Sequence, residues 1–287
     1  MTTVLITGAS GMLGRDLTGV CADLDPRAFS RADLDITDPD KVRDAVVDVD
    51  VVVNCAAYTA VDQAEKDVDA AMATNALGPQ ILAEACKAAG VRFIHLSTDY
   101  VFRGDATTPY PEDAPRDPVS VYGRSKAAGE EVILGVYPEG SVIIRTAWLY
   151  GEHGPSFPRT MLTAAASRET LNVVDDQVGQ PTWTKDLARQ IRLVIDSDIR
   201  SGVFHGTNAG HTSWCNFAKD IFATAGLDPE RILPTTSAEF VRPAPRPSWS
   251  VLGHDGWAAV GLPAMRGWEE AFADAYPECF TNIVGGR

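Results

Sequence analysis

The sequence predicts an α/β protein built on a doubly wound, mostly parallel sheet. Three observations carry this. Short apolar runs alternate with helix-forming stretches through the first half of the chain. The first run leads directly into a glycine-spaced turn, Gly8-Ala9-Ser10-Gly11-Met12-Leu13-Gly14. Beyond the fourth run, Tyr122 and Lys126 lie one helical turn apart and so share a face.

The elements follow in order. Thr3–Thr7 reads as a buried strand, and a helix runs from about Leu13 to Leu24. Ala28-Phe29-Ser30 reads as a second strand, and Asp38-Pro39 opens a helix with an N-cap and a proline at its first position. Val51–Asn54 is a third strand, and Asp67–Ala89 a long helix closed near Gly90. Arg92–Ser97 is a fourth strand. A helix capped by Ser120 carries Tyr122 and Lys126, and Ser141–Thr146 is a fifth strand. After Tyr150, glycine, proline and aromatic residues become frequent. Strands are expected at Leu171–Val174 and Gly202–His205 with a Thr184-capped helix between them. Further helices are expected at Ser213–Ala225 and Arg266–Ala275. Arg242–Pro247 holds three prolines and must be a fixed loop. The expected organisation is a nucleotide-binding domain over residues 1–150, rejoined by about 171–207. Residues 151–170 and 208–287 form a smaller α/β substrate lobe.

Composition narrows the function. With 287 residues and 45% hydrophobic side chains, the chain can bury a full core. Its net charge of −14, from 25 basic and 39 acidic residues, argues against nucleic acid and anionic membranes as partners. No apolar run reaches the ~20 residues of a membrane span. The N-terminus lacks the basic region of a signal peptide. Five cysteines, widely spaced and without a C-x-x-C pair, suit free thiols in a reducing cytoplasm better than disulfides or a metal site. An anionic ligand must therefore be held locally, by helix N-termini or placed arginines.

The glycine turn provides such a place. Strand, glycines, helix lets backbone approach a pyrophosphate and aims unpaired N–H groups at it. In such sheets ligands sit at the carboxyl ends of the strands, where Gly8, Ala56, Ser97 and Thr146 all fall. Beside a lysine ammonium, a phenol pKa falls from its reference of about 10, so Tyr122 is a candidate proton donor to a reacting oxygen.

These features occur in a set and in order: the glycine turn, Asn54-Cys55-Ala56-Ala57-Tyr58-Thr59, Ser97-Thr98-Asp99-Tyr100-Val101-Phe102, Tyr122/Lys126, Arg145-Thr146-Ala147-Trp148, and Asp176-Gln177-Val178-Gly179-Gln180-Pro181-Thr182. The set resembles the dTDP-4-dehydrorhamnose reductases, an extended short-chain dehydrogenase/reductase family with a Rossmann-like fold. The resemblance runs from about Val4 to the Arg242–Leu252 loop. It implies NAD(P)H-dependent reduction of the C4 ketone of dTDP-4-dehydro-L-rhamnose to dTDP-L-rhamnose. Tyr122 would protonate the C4 oxygen. Lys126 would lower the tyrosine pKa and hold ribose hydroxyls, and Thr98 would hydrogen-bond the ketone. The cofactor set implied is Gly8, Gly11, Met12, Leu13, Gly14, Arg31, Asp35, Ile36, Ala56, Ala57, Tyr58, Asn75 and Ser97, with Tyr122 and Lys126. The substrate set is Thr98, Asp99, Tyr100 and Trp148, with Arg242 and Arg246 toward the diphosphate.

Two choices stay open. Arg31 could accept a 2′-phosphate, which favours NADPH, whereas Asp33 or Asp35 could take the 2′-hydroxyl of NADH. Some members of the family form metal-bridged dimers, for which Asp16 is the nearest carboxylate to a Mg2+ ligand here. No metal-ligand spacing is present, and the working unit is expected to be a monomer or a homodimer. Related 4,6-dehydratases carry Asp-Glu after the threonine. Tyr100 stands at the second position here, which favours reduction over dehydration. The alternatives are a reductase of another 4-keto-6-deoxysugar, or a non-catalytic dinucleotide-binding subunit resembling that of methionine adenosyltransferase.

Overall fold

A computed structural model describes residues 2–284. The elements before Tyr150 are β1 (Thr3–Thr7), α1 (Met12–Val20), β2 (Asp25–Phe29), α2 (Pro39–Ala45), β3 (Val51–Asn54), α3 (Val61–Ala64), α4 (Val68–Met72), α5 (Gly78–Ala89), β4 (Arg92–Thr98), α6 (Val121–Val136), β5 (Ser141–Thr146) and β6 (Leu149–Tyr150). After them come α7 (Phe157–Ala165), β7 (Leu171–Val174), β8 (Val178–Gly179), β9 (Thr182–Trp183), α8 (Thr184–Asp196), β10 (Gly202–His205), β11 (Thr212–Ser213), α9 (Trp214–Thr224), β12 (Ile232–Thr235), α10 (Asp255–Ala259), α11 (Trp268–Cys279) and α12 (Thr281–Val284).

The main sheet has six parallel strands in the order β2-β1-β3-β4-β5-β10. Its order reverses between β1 and β3, which opens a crevice at their carboxyl ends. Successive side chains feed opposite faces. Val4, Ile6, Val51, Val53, Ile94 and Leu96 pack with Leu13 and Leu17 of α1 and Leu187 and Ile191 of α8. Leu5, Val52, Phe93 and Ile143 pack with Leu82 and Cys86 of α5 and Ile133 of α6. A separate core of Tyr150, Leu162, Trp183, Phe217, Phe222, Trp268, Phe272 and Phe280 builds the second lobe.

Several sequence expectations change in detail. The long helix from Asp67 is split by a π turn at Ala73–Leu77, and it closes at Gly90 in the left-handed conformation (φ 68°). The second strand starts earlier, at Asp25. It tolerates Pro26 because it lies at the sheet edge. Leu171–Val174, grouped above with the returning stretch 171–207, pairs with β12 in the second lobe. Within that stretch, β10 joins the main sheet and α8 packs on α1. Thr184 does not cap α8. Its hydroxyl donates to Asp16 and lies 3.1 Å from the Tyr150 carbonyl oxygen.

Candidate active site

The turn after β1 is held by backbone contact that only glycine allows. Gly8 has φ +64°, and a Cβ there would stand 2.6 Å from the Ala56 nitrogen. At Gly14 a Cβ would stand 2.4 Å from the Gly8 carbonyl oxygen. The turn thus sits tightly between the end of β3 and the start of α1.

A cavity of about 1540 Å³ opens over the carboxyl ends of the strands. Gly8, Gly11, Met12, Leu13, Gly14, Arg31, Asp35, Ile36, Ala56, Ala57, Tyr58 and Ser97 line it, as do Thr98, Asp99, Tyr100, Tyr122, Lys126 and Trp148. Asn75 stands behind this lining. The π turn presents its side chain to the Tyr58 backbone, accepting from the amide at 2.8 Å and donating to the carbonyl at 3.0 Å. It also donates to the Ser125 hydroxyl at 2.9 Å, which ties the Tyr58 segment to α6.

Arg242 and Arg246 do not line this cavity. They reach Asp62, at 3.9 and 2.9 Å, and Arg246 borders a neighbouring hollow of about 470 Å³ with Thr59, Gln63 and Lys66. The physical reason is that the acidic surface supplies Asp62 as an intrachain partner. Asp16 likewise has an intrachain partner in Thr184. Among the described residues, no group of three or more His, Cys, Asp or Glu side chains is placed to hold a metal.

The reacting corner differs from expectation in its electrostatics. Ser120 caps α6 by accepting from the Gly123 amide at 3.0 Å, and this sets the face that carries Tyr122 and Lys126. Lys126 is buried and turns its Nζ to β4, with 2.6 Å to the Leu96 carbonyl oxygen and 3.1 Å to His95 Nε2. Burial pushes Lys126 down to about 8. The Tyr122 phenol is not lowered by the lysine. Burial pushes it up to about 12. Tyr100 meets it edge-on, with ring centroids 5.5 Å apart. The Thr98 hydroxyl, expected to face a ketone, donates to Asp99 at 2.9 Å. Burial pushes Asp99 up to about 6, and its second carboxyl oxygen has no hydrogen-bond partner.

Beyond the end of β2, Asp33 and Asp35 are engaged locally. Asp33 accepts from the Ser30 hydroxyl and amide, and Asp35 from the Thr37 amide and hydroxyl. These bonds hold both carboxyls below the usual range and leave Arg31 facing the cavity.

Other lining residues have no sequence signal. Trp214, at the start of α9, crosses from the second lobe to stack on Trp148. His153 and Arg159 reach the cavity from the segment after β6. Only the tertiary arrangement brings them there.

Fold and cavity together define a Rossmann-type α/β protein with a dinucleotide-sized cleft under a second lobe. Residues 1–280 match the family model described as "RmlD substrate binding domain", and the chain belongs to that family. This is the family expected from the ordered motifs. The chain is 48% identical over 284 residues to a dTDP-4-dehydrorhamnose reductase of Streptomyces griseus, covering 95% of this chain and 92% of that one. It is 47% identical over 278 residues to a dTDP-4-keto-6-deoxy-D-glucose reductase of Streptomyces niveus, covering 95% and 96%. A crystal structure of dTDP-4-dehydrorhamnose reductase from Bacillus anthracis str. Ames in complex with NADP superimposes with a TM-score of 0.93. The two are 37% identical, covering 97% of this chain and 100% of that one.

Proposed function

We propose that this protein is a dTDP-4-dehydrorhamnose reductase, transferring hydride from NADPH to the C4 ketone of dTDP-4-dehydro-L-rhamnose to give dTDP-L-rhamnose. The observation that carries the reading is that one cavity holds both the glycine turn and Thr98, Tyr122 and Lys126. A cofactor with its pyrophosphate on the N-terminus of α1 would bring its nicotinamide toward the ends of β4 and β5. NADPH supplies the hydride. Tyr122, which keeps its proton at neutral pH, gives it to the oxygen gaining charge. Thr98 exchanges its Asp99 contact for that oxygen, and Lys126 holds the nicotinamide ribose. Asn75 positions Tyr58. Arg31 lines the cavity and supports NADPH over NADH, as a cation that a 2′-phosphate would meet.

The division of labour proposed is a nucleotide domain of residues 1–150 with α8 and β10, and a second lobe that closes on the sugar nucleotide. Arg242 and Arg246 would exchange Asp62 for the diphosphate. The working unit proposed is a monomer or a homodimer. No helix among the described residues is long and apolar enough to cross a membrane. The five free cysteines support a cytoplasmic setting. The Asp16–Thr184 bond gives no support to a bridging Mg2+.

A second reading, reduction of another dTDP-4-keto-6-deoxysugar, is supported by the similarly close Streptomyces niveus relative. The test is turnover of dTDP-4-dehydro-L-rhamnose and of dTDP-4-keto-6-deoxy-D-glucose with NADPH, with the stereochemistry of each product determined. A product other than dTDP-L-rhamnose would decide for the second reading. Absence of turnover with either ketone would remove both.

A further inference from the structure

Behind the reacting corner runs a buried hydrogen-bond chain whose direction is fixed. The Ala56 amide donates to Asn54 Oδ1 at 3.1 Å, and the Thr7 hydroxyl donates to the same atom at 2.6 Å. A backbone N–H must face an oxygen, so the Asn54 amide has one orientation. Its Nδ2 then donates to His95 Nδ1, 3.0 Å away. His95 is fully buried, and burial drives it well below the usual histidine range, so the ring is neutral. A neutral imidazole that accepts at Nδ1 carries its single N–H at Nε2. That N–H points at Lys126 Nζ, 3.1 Å away. An ammonium has no lone pair to receive it, whereas a neutral amine has one. The amine can still donate to the Leu96 carbonyl oxygen at 2.6 Å.

We propose that His95 is a positioning residue that holds Lys126 as a neutral amine in the ligand-free protein, through the one-way chain from Ala56 and Thr7 by way of Asn54. The groups facing Lys126 agree with this. From the end of β3, the Cys55 thiol is pushed up to about 12 by burial and brings no charge. On α6, Tyr122 keeps its proton, and Glu130, which favours the ammonium, is bonded to Arg145 and Arg116. From β4 come only the ring N–H and a carbonyl. A neutral lysine lends Tyr122 no positive charge, so the phenol stays loaded until a ligand draws Nζ off the ring. The amine would then take a proton from solvent. This consequence for turnover rests on the proposed roles of Tyr122 and Lys126.

The test needs no substrate. In ligand-free protein labelled with 15N-histidine, two-bond 1H–15N correlations should show His95 protonated at Nε2 and bare at Nδ1. Burial brings Lys126 down to about 8, and the ring N–H facing its lone pair should take it lower, so with 13Cε-lysine labelling Lys126 should be mostly neutral at pH 7. His95→Gln, whose amide can offer an oxygen to an ammonium, should raise the Lys126 titration by about one to two pH units. An Nδ1–H tautomer, a charged Lys126 at pH 7, or an unchanged titration in His95→Gln overturns the proposal. If that variant does not fold, the wild-type tautomer decides. Failure of the reductase assay would leave these results standing and count against the function alone.

Discussion

Trp148 stacks on Trp214 with ring centroids 3.4 Å apart and 8° between the planes. The pair joins the end of β5 to the start of α9, and both rings line the cavity. Trp148 reaches this position through a left-handed backbone (φ 46°), which a non-glycine residue adopts at a cost of roughly 1–3 kcal/mol. Gly179 makes room for it, since a Cβ there would lie 2.5 Å from the indole. A costly conformation kept beside a cavity is expected of a recognition residue, and the prediction is that this pair meets the sugar. Trp214→Ala should raise KM for the sugar nucleotide about tenfold while leaving the NADPH Kd within about twofold, from a lost stacking contact of about 1–1.5 kcal/mol. Steady-state kinetics and cofactor titration check this. Equal losses for both ligands would mean the pair only braces the lobes.

Tyr122→Phe should fold and bind NADPH nearly as the parent does, and lose about 10²–10⁴-fold in kcat. The phenol is placed in the cavity with its proton retained, which is the property removed. Near-normal turnover would take Tyr122 out of the mechanism.

Arg31→Ala should weaken NADPH by about one to two decades and leave NADH almost unchanged, as expected for a charge-assisted contact of about 1.5–3 kcal/mol. The difference should shrink with ionic strength, because the contact is near the surface. The measurement is kcat/KM for both cofactors at two salt concentrations. An unmoved NADPH/NADH ratio would make Arg31 a surface residue only.

Asp99 links stability to pH with a definite sign. Its folded pKa is about 6 through burial, while the unfolded carboxyl titrates near 4. Between these values the folded state binds the extra proton, so Asp99 lowers stability as pH rises from about 4 to about 6 and adds nothing further above. Asp99→Asn keeps an acceptor for Thr98 and removes the penalty. Relative to the parent, it should gain up to about 3 kcal/mol at pH 7, an advantage that fades toward pH 4. Urea unfolding at several pH values tests this. A pH-independent difference would show that the carboxyl is ionised without cost.

The sequence by itself determined the sheet and its glycine turn. Short apolar runs such as Val51–Asn54 and Ser141–Thr146, alternating with helix-forming stretches, read as strands covered on both faces. The Gly8–Gly14 spacing and the Ser120 cap act within a few residues of where they are read. Tyr122 and Lys126 were legible as neighbours because a helix repeats every turn. What lies opposite them was not. Lys126 on α6 faces Leu96 and His95 on β4, Trp214 comes from the second lobe, and Arg246 meets Asp62 across a long stretch of chain. Charge states and partners depend on distances between segments remote in sequence, and on burial that only the assembled fold creates. Local patterns therefore gave the parts of the site, while packing decided which side chain holds each proton.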